Sequence, residues 1–156
     1  DQQLRAKKVD RFYNALVSTN TPLPEQHGMI DAPIGRTDDS IINRMVREDG
    51  KAALTEYWQE RTFPEGVLVK IQWHTGRTHQ IRVHFSHIGA PLIGDSLYGG
   101  LESEAVNRQA LHCKELAFAH PLTGEDFHIA APLPADFNAW MAEQTGKERL
   151  DVRKTI

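Results

Sequence analysis

Residues 67–89 read VLVKIQWHTGRTHQIRVHFSHIG, and the hydrophobic period changes in the middle of them. Val67, Val69, Ile71 and Trp73 alternate with Leu68, Lys70 and Gln72, the period of a strand with one wet face. Past Thr75-Gly76, Ile81, Phe85 and Ile88 recur at helical spacing, with Thr78 as N-cap and Gly89 as C-terminal stop. The expectation is a strand, a glycine turn and a helix of roughly three turns. Upstream, residues 53–63 pair with 67–73 as a hairpin around Pro64-Glu65-Gly66. Residues 11–18 (RFYNALVS) form another strand, with Phe12, Asn14 and Leu16 on one face and Tyr13, Ala15 and Val17 on the other. Residues 19–28, with two prolines, read as a loop, 31–36 (DAPIGR) as a short extended piece, and 37–50 as a polar connection. Downstream, 111–118 and 126–130 form a second hairpin. A last helix from Ala135 to Gln144 buries Phe137, Trp140 and Met141, and the charged tail after Gly146 frays. The fold class expected is α+β: a mainly antiparallel or mixed sheet with a few helices.

Composition narrows the function classes. The 156 residues, 40% apolar and 25% charged, suit one soluble domain. No apolar run approaches the roughly 20 residues a membrane span needs, so no membrane partner is expected. No apolar signal segment follows Asp1–Lys8, and Cys113 stands alone, which points to a reducing, cytoplasmic compartment. A first residue other than Met points to a longer parent chain. The net charge is −3, yet residues 66–94 contain no Asp or Glu while holding Lys70, Arg77, Arg82 and four histidines. Such a strip fits a directed anion site, with a solvated basic edge as the alternative.

Arg77 lies just before the expected helix, whose first N–H groups lack partners, an arrangement suited to phosphate. Arg82 lies one turn in, beside the apolar stripe, and a buried arginine there requires an acid from outside the helix. His74, His79, His84 and His87 lack metal-ligand spacing and a nearby cysteine, so no metal is expected. Nucleophile elbows, phosphate loops and dinucleotide fingerprints are missing from the sequence. Asp95, in Gly94-Asp95-Ser96, reads as a turn residue accepting local N–H bonds rather than as a catalytic group. Tyr13 reads as a packed strand ring, with base stacking as the functional alternative.

Seven blocks then carry a resemblance: FYNALV (12–17), DAPIGR (31–36), GKAALTEY (50–57), TGRTHQIRVH (75–84), GAPLIGDSLYGG (89–100), QALHCKELAFAHPLTGE (109–125) and APLPADF (131–137). In this order they resemble the RluA/RluD-type pseudouridine synthases, isomerases of uridine in ribosomal or transfer RNA. The resemblance implies an RNA-binding, RNA-modifying monomer that needs no cofactor. It makes Tyr13 the ring that stacks on the flipped uracil and joins in proton transfer. Arg82 becomes the partner of the catalytic aspartate, and Arg77, Thr78, His79 and Gln80 line the cleft and hold RNA phosphate or sugar. That nucleophilic aspartate belongs to a His-Arg-Leu-Asp segment upstream of the tyrosine strand, and residues 1–12 contain none. Arg149-Leu150-Asp151 lacks the flanking residues and lies at the wrong end. Residues 1–156 therefore read as the C-terminal portion of a single catalytic domain without its nucleophile-bearing part, inactive alone. The alternative is a non-catalytic RNA-binding module of the same fold.

Overall fold

The computed structural model describes residues 10–19, 23–40 and 43–155, with side chains as far as residue 147. In chain order the elements are β1 (Asp10–Ser18), β2 (His27–Asp31), β3 (Ile34–Arg36), β4 (Arg44–Val46), β5 (Leu54–Phe63), β6 (Gly66–Trp73), α1 (Gln80–His87), β7 (Leu111–Ala119), β8 (Asp126–Ala130) and α2 (Ala135–Thr155). A short 3-10 turn covers Ser96–Tyr98. Among the described residues six strands form one sheet, in the order β2-β5-β6-β1-β7-β8, and β3 pairs with β4. Every pairing is antiparallel. The α+β architecture is the one the periodicity predicts.

The two faces of the sheet bury separate cores, and β1 shows why. Ala15 and Val17 join Val69, Ile71, Ile81 and Phe85 beneath α1, whereas Leu16 joins Leu68, Phe63, Phe137, Trp140 and Met141 beneath α2. Period-two alternation thus sends neighbouring residues to opposite sides. The segment after α1 crosses the end of β1 in the same manner. Ile93 N–H donates to Leu16 O at 2.9 Å and Ser18 N–H to Pro91 O at 2.8 Å, covering the edge of β1 past the reach of β7. Leu92 enters the first core and Ile93 the second.

Three local expectations differ from the structure. His27 and Gly28, assigned to a loop, belong to β2, and β4 lies within the polar connection. The helix α1 has eight residues and begins after His79 rather than Thr78, for reasons given below. The C-terminal helix does not end at Gln144 but runs to Thr155, because Lys, Glu, Arg and Leu after Gly146 are strong helix formers. The polar segment Asp1–Lys8 lies outside the described residues.

Gly94 is the tightest joint in this frame. Its φ is +78°, and a Cβ there would sit 2.0 Å from the carbonyl oxygen of Arg108. Both the left-handed backbone and the contact demand glycine. Gly94→Ala is expected to destabilise the chain by at least about 2 kcal/mol, read as a lower urea midpoint with an unchanged slope.

Candidate active site

The turn between β6 and α1 is held by Gln80, which is only 1% exposed. Its Oε1 accepts from the Thr75 hydroxyl (2.6 Å) and the Arg77 N–H (3.0 Å); its Nε2 donates to Leu54 O (2.9 Å) and Thr55 Oγ1 (2.8 Å). These bonds do the work expected of a Thr78 cap, and no side chain caps the helix. His79 instead takes the left-handed conformation, φ +56°, a costly position for a residue with a Cβ. A bond between His79 Nδ1 and the Tyr98 hydroxyl, 2.7 Å, helps hold it there.

From Gln80 a directed chain of hydrogen bonds runs inward. Thr55 Oγ1 meets His84 Nδ1 at 2.8 Å, and His84 Nε2 meets Ala32 O at 2.8 Å. A carbonyl can only accept, so Nε2 carries the proton and Nδ1 accepts from Thr55. Burial pushes the His84 pKa below the ordinary value, the Ala32 carbonyl opposing it and His87 adding to it. The ring is therefore neutral and structural.

Arg82 projects from α1 toward the loop after it. Its Nε donates to Asp95 Oδ2 at 2.8 Å and its Nη2 to Asp95 Oδ1 at 2.9 Å, a bidentate pair. The Asp95 side chain is 1% exposed and that of Arg82 16%. The acid that Arg82 requires therefore lies outside its helix, as the residue pattern predicts, but within this polypeptide, contrary to the reading that an aspartate outside residues 1–156 is its partner. The cause is local: Gly94 turns the chain so that Asp95 faces α1. The Asp95 carboxylate bonds the guanidinium instead of nearby N–H groups, while its backbone carbonyl closes the turn by accepting from Gly100 at 2.7 Å. The hydrogen bond with Asp95 raises the pKa of Arg82 further above its already high value, so the charge is permanent. The guanidinium carbon lies 5.0 Å from the centre of the Tyr98 ring. Among the described residues, Nη1 has no partner.

Tyr13 occupies the same sheet face as α1, at the margin of that core, and stacks on Trp73 with ring centres 4.9 Å apart and planes 26° from parallel. It borders a cavity of about 390 Å³ with Arg11, Cys113, Leu116 and Phe118. Burial, then Cys113, raises its pKa, with Arg11 opposing, so the phenol stays protonated near neutrality. That cavity does not reach Arg82. Of the residues expected at the RNA, Thr78 is exposed and Arg77 half-buried, with Arg77 Nε donating to Ala52 O at 2.8 Å. His79 is half-buried against Tyr98, its pKa lowered by burial, then by Arg82 and Arg44. Gln80 has no exposed face, so its part is to hold the turn rather than to touch RNA. Among the described residues no group of three or more His, Cys, Asp or Glu is placed to hold a metal ion. Asp95, Tyr98, Trp73 and Thr55 were not singled out from the sequence as site residues. The requirement for an acid opposite Arg82 was the signal that could have found Asp95.

A family model described as RNA pseudouridylate synthase matches residues 1–87. The chain belongs to the RNA pseudouridylate synthase family. It is 48% identical over 130 residues to the uncharacterized RNA pseudouridine synthase YjbO of Bacillus subtilis, covering 83% of this chain and 45% of that protein. It is 38% identical over 160 residues to ribosomal large subunit pseudouridine synthase D of Pseudomonas aeruginosa, covering 94% of this chain and 49% of that protein. Among solved structures, human RNA pseudouridylate synthase domain containing 1 superposes with a TM-score of 0.66 at 28% identity, covering 80% of this chain and 54% of that one. The chain thus spans just under half the length of the curated relatives it matches. These likenesses place it with the RluA/RluD-type synthases.

The neutral His84 gives a test by pH. An unfolded histidine takes its proton near pH 6.5, whereas folded His84 takes it at a lower pH. Between those values the unfolded chain binds more protons, so acidification through that window lowers stability. In a two-dimensional NMR titration the His84 ring is expected to remain neutral at pH 6.5, with Nε2 protonated. A midpoint at or above the ordinary value would contradict the chain of bonds from Gln80 to Ala32.

Proposed function

We propose that this chain supplies the arginine-bearing part of an enzyme that isomerises uridine to pseudouridine in ribosomal or transfer RNA, the nucleophilic aspartate coming from outside residues 1–156. One observation carries the reading: Arg82 is gripped by Asp95 along its Nε/Nη2 edge, while Nη1 has no partner among the described residues. A second carboxylate meeting that free end would be kept ionised and oriented in a water-poor site. The reaction breaks the bond between uracil N1 and the sugar, turns the base, and forms a bond from the sugar to C5, which then loses its proton. Nothing is oxidised or hydrolysed. The ionised carboxylate assists at the sugar, and Tyr13, backed by Trp73, offers a flat apolar surface to the loosened base. Extruding the uridine costs a few kcal/mol, least in loops. Arg77 and Thr78 meet RNA phosphate or sugar directly, His79 lies between them and Tyr98, and Gln80 acts by fixing their turn. Family membership and the printed names of the relatives support RNA as the substrate class.

The second reading is a non-catalytic RNA-binding module of the same fold. Release of tritium from RNA labelled at uridine C5 separates them in the full-length protein. For the enzyme, Arg82→Lys retains charge but not the two-edged geometry, and turnover is expected to fall by about 100-fold or more. Melting temperature is measured alongside, because Asp95 also needs this partner for stability. Turnover equal to wild type in Arg82→Lys would remove the role given to Arg82. RNA binding without any release by the wild type would establish the module.

A further inference from the structure

We infer that the β3–β4 hairpin and the turn before α1 form a groove for the phosphodiester backbone of single-stranded RNA, with Arg36 and Lys51 as contact residues additional to Arg77. The inference rests on RNA being the substrate class and adds a second binding surface to it. The groove, about 430 Å³, is bordered by Arg36, Arg44, Lys51 and Arg77, with Asp49 as its one acidic side chain. It has the size of a small-ligand cleft, suited to one strand and too small for a duplex.

The charge of this groove is not cancelled from within. Arg47 lies behind it and grips Asp49 through Nε (2.7 Å) and Nη2 (3.2 Å), while its Nη1 donates to Asp38 at 2.8 Å. That grip holds the Asp49 carboxyl below the usual carboxylate range and turns it toward Arg47, whose single charge Asp49 shares with Asp38. Among the described residues no carboxylate pairs with Arg36, Lys51 or Arg77. Arg36 lies opposite Arg44 in the β3–β4 hairpin. The fold fixes the backbone of both walls. Ile34 and Lys51 exchange two backbone hydrogen bonds at 2.9 and 2.8 Å, and Arg77 Nε anchors the opposite wall to Ala52 O. Gly50 lets the walls close, since a Cβ there would lie 2.7 Å from Ile34 O. The result is a fixed backbone from which these cations reach toward consecutive phosphates.

The test compares Arg36→Ala/Lys51→Ala with a charge-matched control, Arg61→Ala/Lys114→Ala, by fluorescence anisotropy on a labelled single-stranded oligouridine across a range of salt. Neither Arg36 nor Lys51 makes a side-chain hydrogen bond or ion pair among the described residues, so the melting temperature should hold. The groove variant is expected to bind at least tenfold more weakly at about 0.1 M salt. Its log–log salt slope should be shallower by about 1.4, or 0.7 per lost cation. Arg36→Lys/Lys51→Arg should bind like wild type, because phosphate reads charge here. Equal losses in the control would mean diffuse attraction and overturn the groove. Unchanged affinity and slope in the groove variant, with tritium release intact, would also overturn the groove while leaving the isomerase reading standing. Selective loss of binding in a protein that releases no tritium would support the groove and remove the isomerase reading.

Discussion

The carboxylate of Asp95 lies almost wholly out of water, where an unmatched charge is among the most costly things a fold can contain. Its two bonds to Arg82 settle more than their own balance. They fasten α1 to the loop after it, beside the Ser86 hydroxyl that donates to Tyr98 O at 2.9 Å. With the loop fixed, Tyr98 stands under the guanidinium, accepts from the Arg44 N–H at 3.1 Å and holds His79 in its left-handed conformation. Removing either member of such a pair typically costs about 3–5 kcal/mol, because the other is left buried and charged. The position of Arg82 is thus inherited from a requirement of folding.

A second constraint works on the other side of α1. The relay from Gln80 through Thr55 and His84 to Ala32 joins β5, α1 and the connection between β2 and β3 without a formal charge. With His84 neutral, each group gives or receives in one direction: Gln80 Nε2 to Thr55, Thr55 to His84 Nδ1, and His84 Nε2 to Ala32 O. Three of the four histidines in this segment have separate duties. His74 meets Glu56, His79 meets Tyr98, and His84 is consumed by the core.

Most of the sheet was legible in the sequence because β1 is rich in aromatic and β-branched residues, β6 alternates along its second half, and Pro64-Glu65-Gly66 marks the turn that joins β5 to β6. β2 was not, and Gly28 is the reason. It is a buried position with no side chain to register as apolar, because the Tyr57 ring occupies the place of its Cβ: the hydroxyl oxygen would be 2.6 Å away. The start of α1 was misplaced for a related reason. Thr78 is a good cap by residue type, yet no side chain caps α1, and the turn before it is tied by Gln80 from within the helix. Arg82 was legible as a residue in need of an acid, while Asp95 was hidden by the similarity between its sequence context and an ordinary turn. Long-range pairing has no short-range signature.

Polar groups that the fold does not use mark out the surface where chemistry belongs. Nη1 of Arg82 and the cations of Arg36 and Lys51 are unpartnered among the described residues, whereas Asn14, Thr55, Gln80, His84 and Asp95, all buried, are matched. The buried Nε1 of Trp73 also lacks a hydrogen-bond partner, as do Thr37 Oγ1 and His112 Nε2, and the Trp73 ring stacks on Tyr13. Folding alone gives no reason to bury an indole N–H without an acceptor, since the lost hydration costs on the order of 1–3 kcal/mol. An RNA base or an additional segment of polypeptide brought against Tyr13 would supply acceptors and apolar surface together. The same face therefore has its structural interactions complete in the interior and incomplete along one margin. That margin runs past Tyr13 and Trp73 on the sheet.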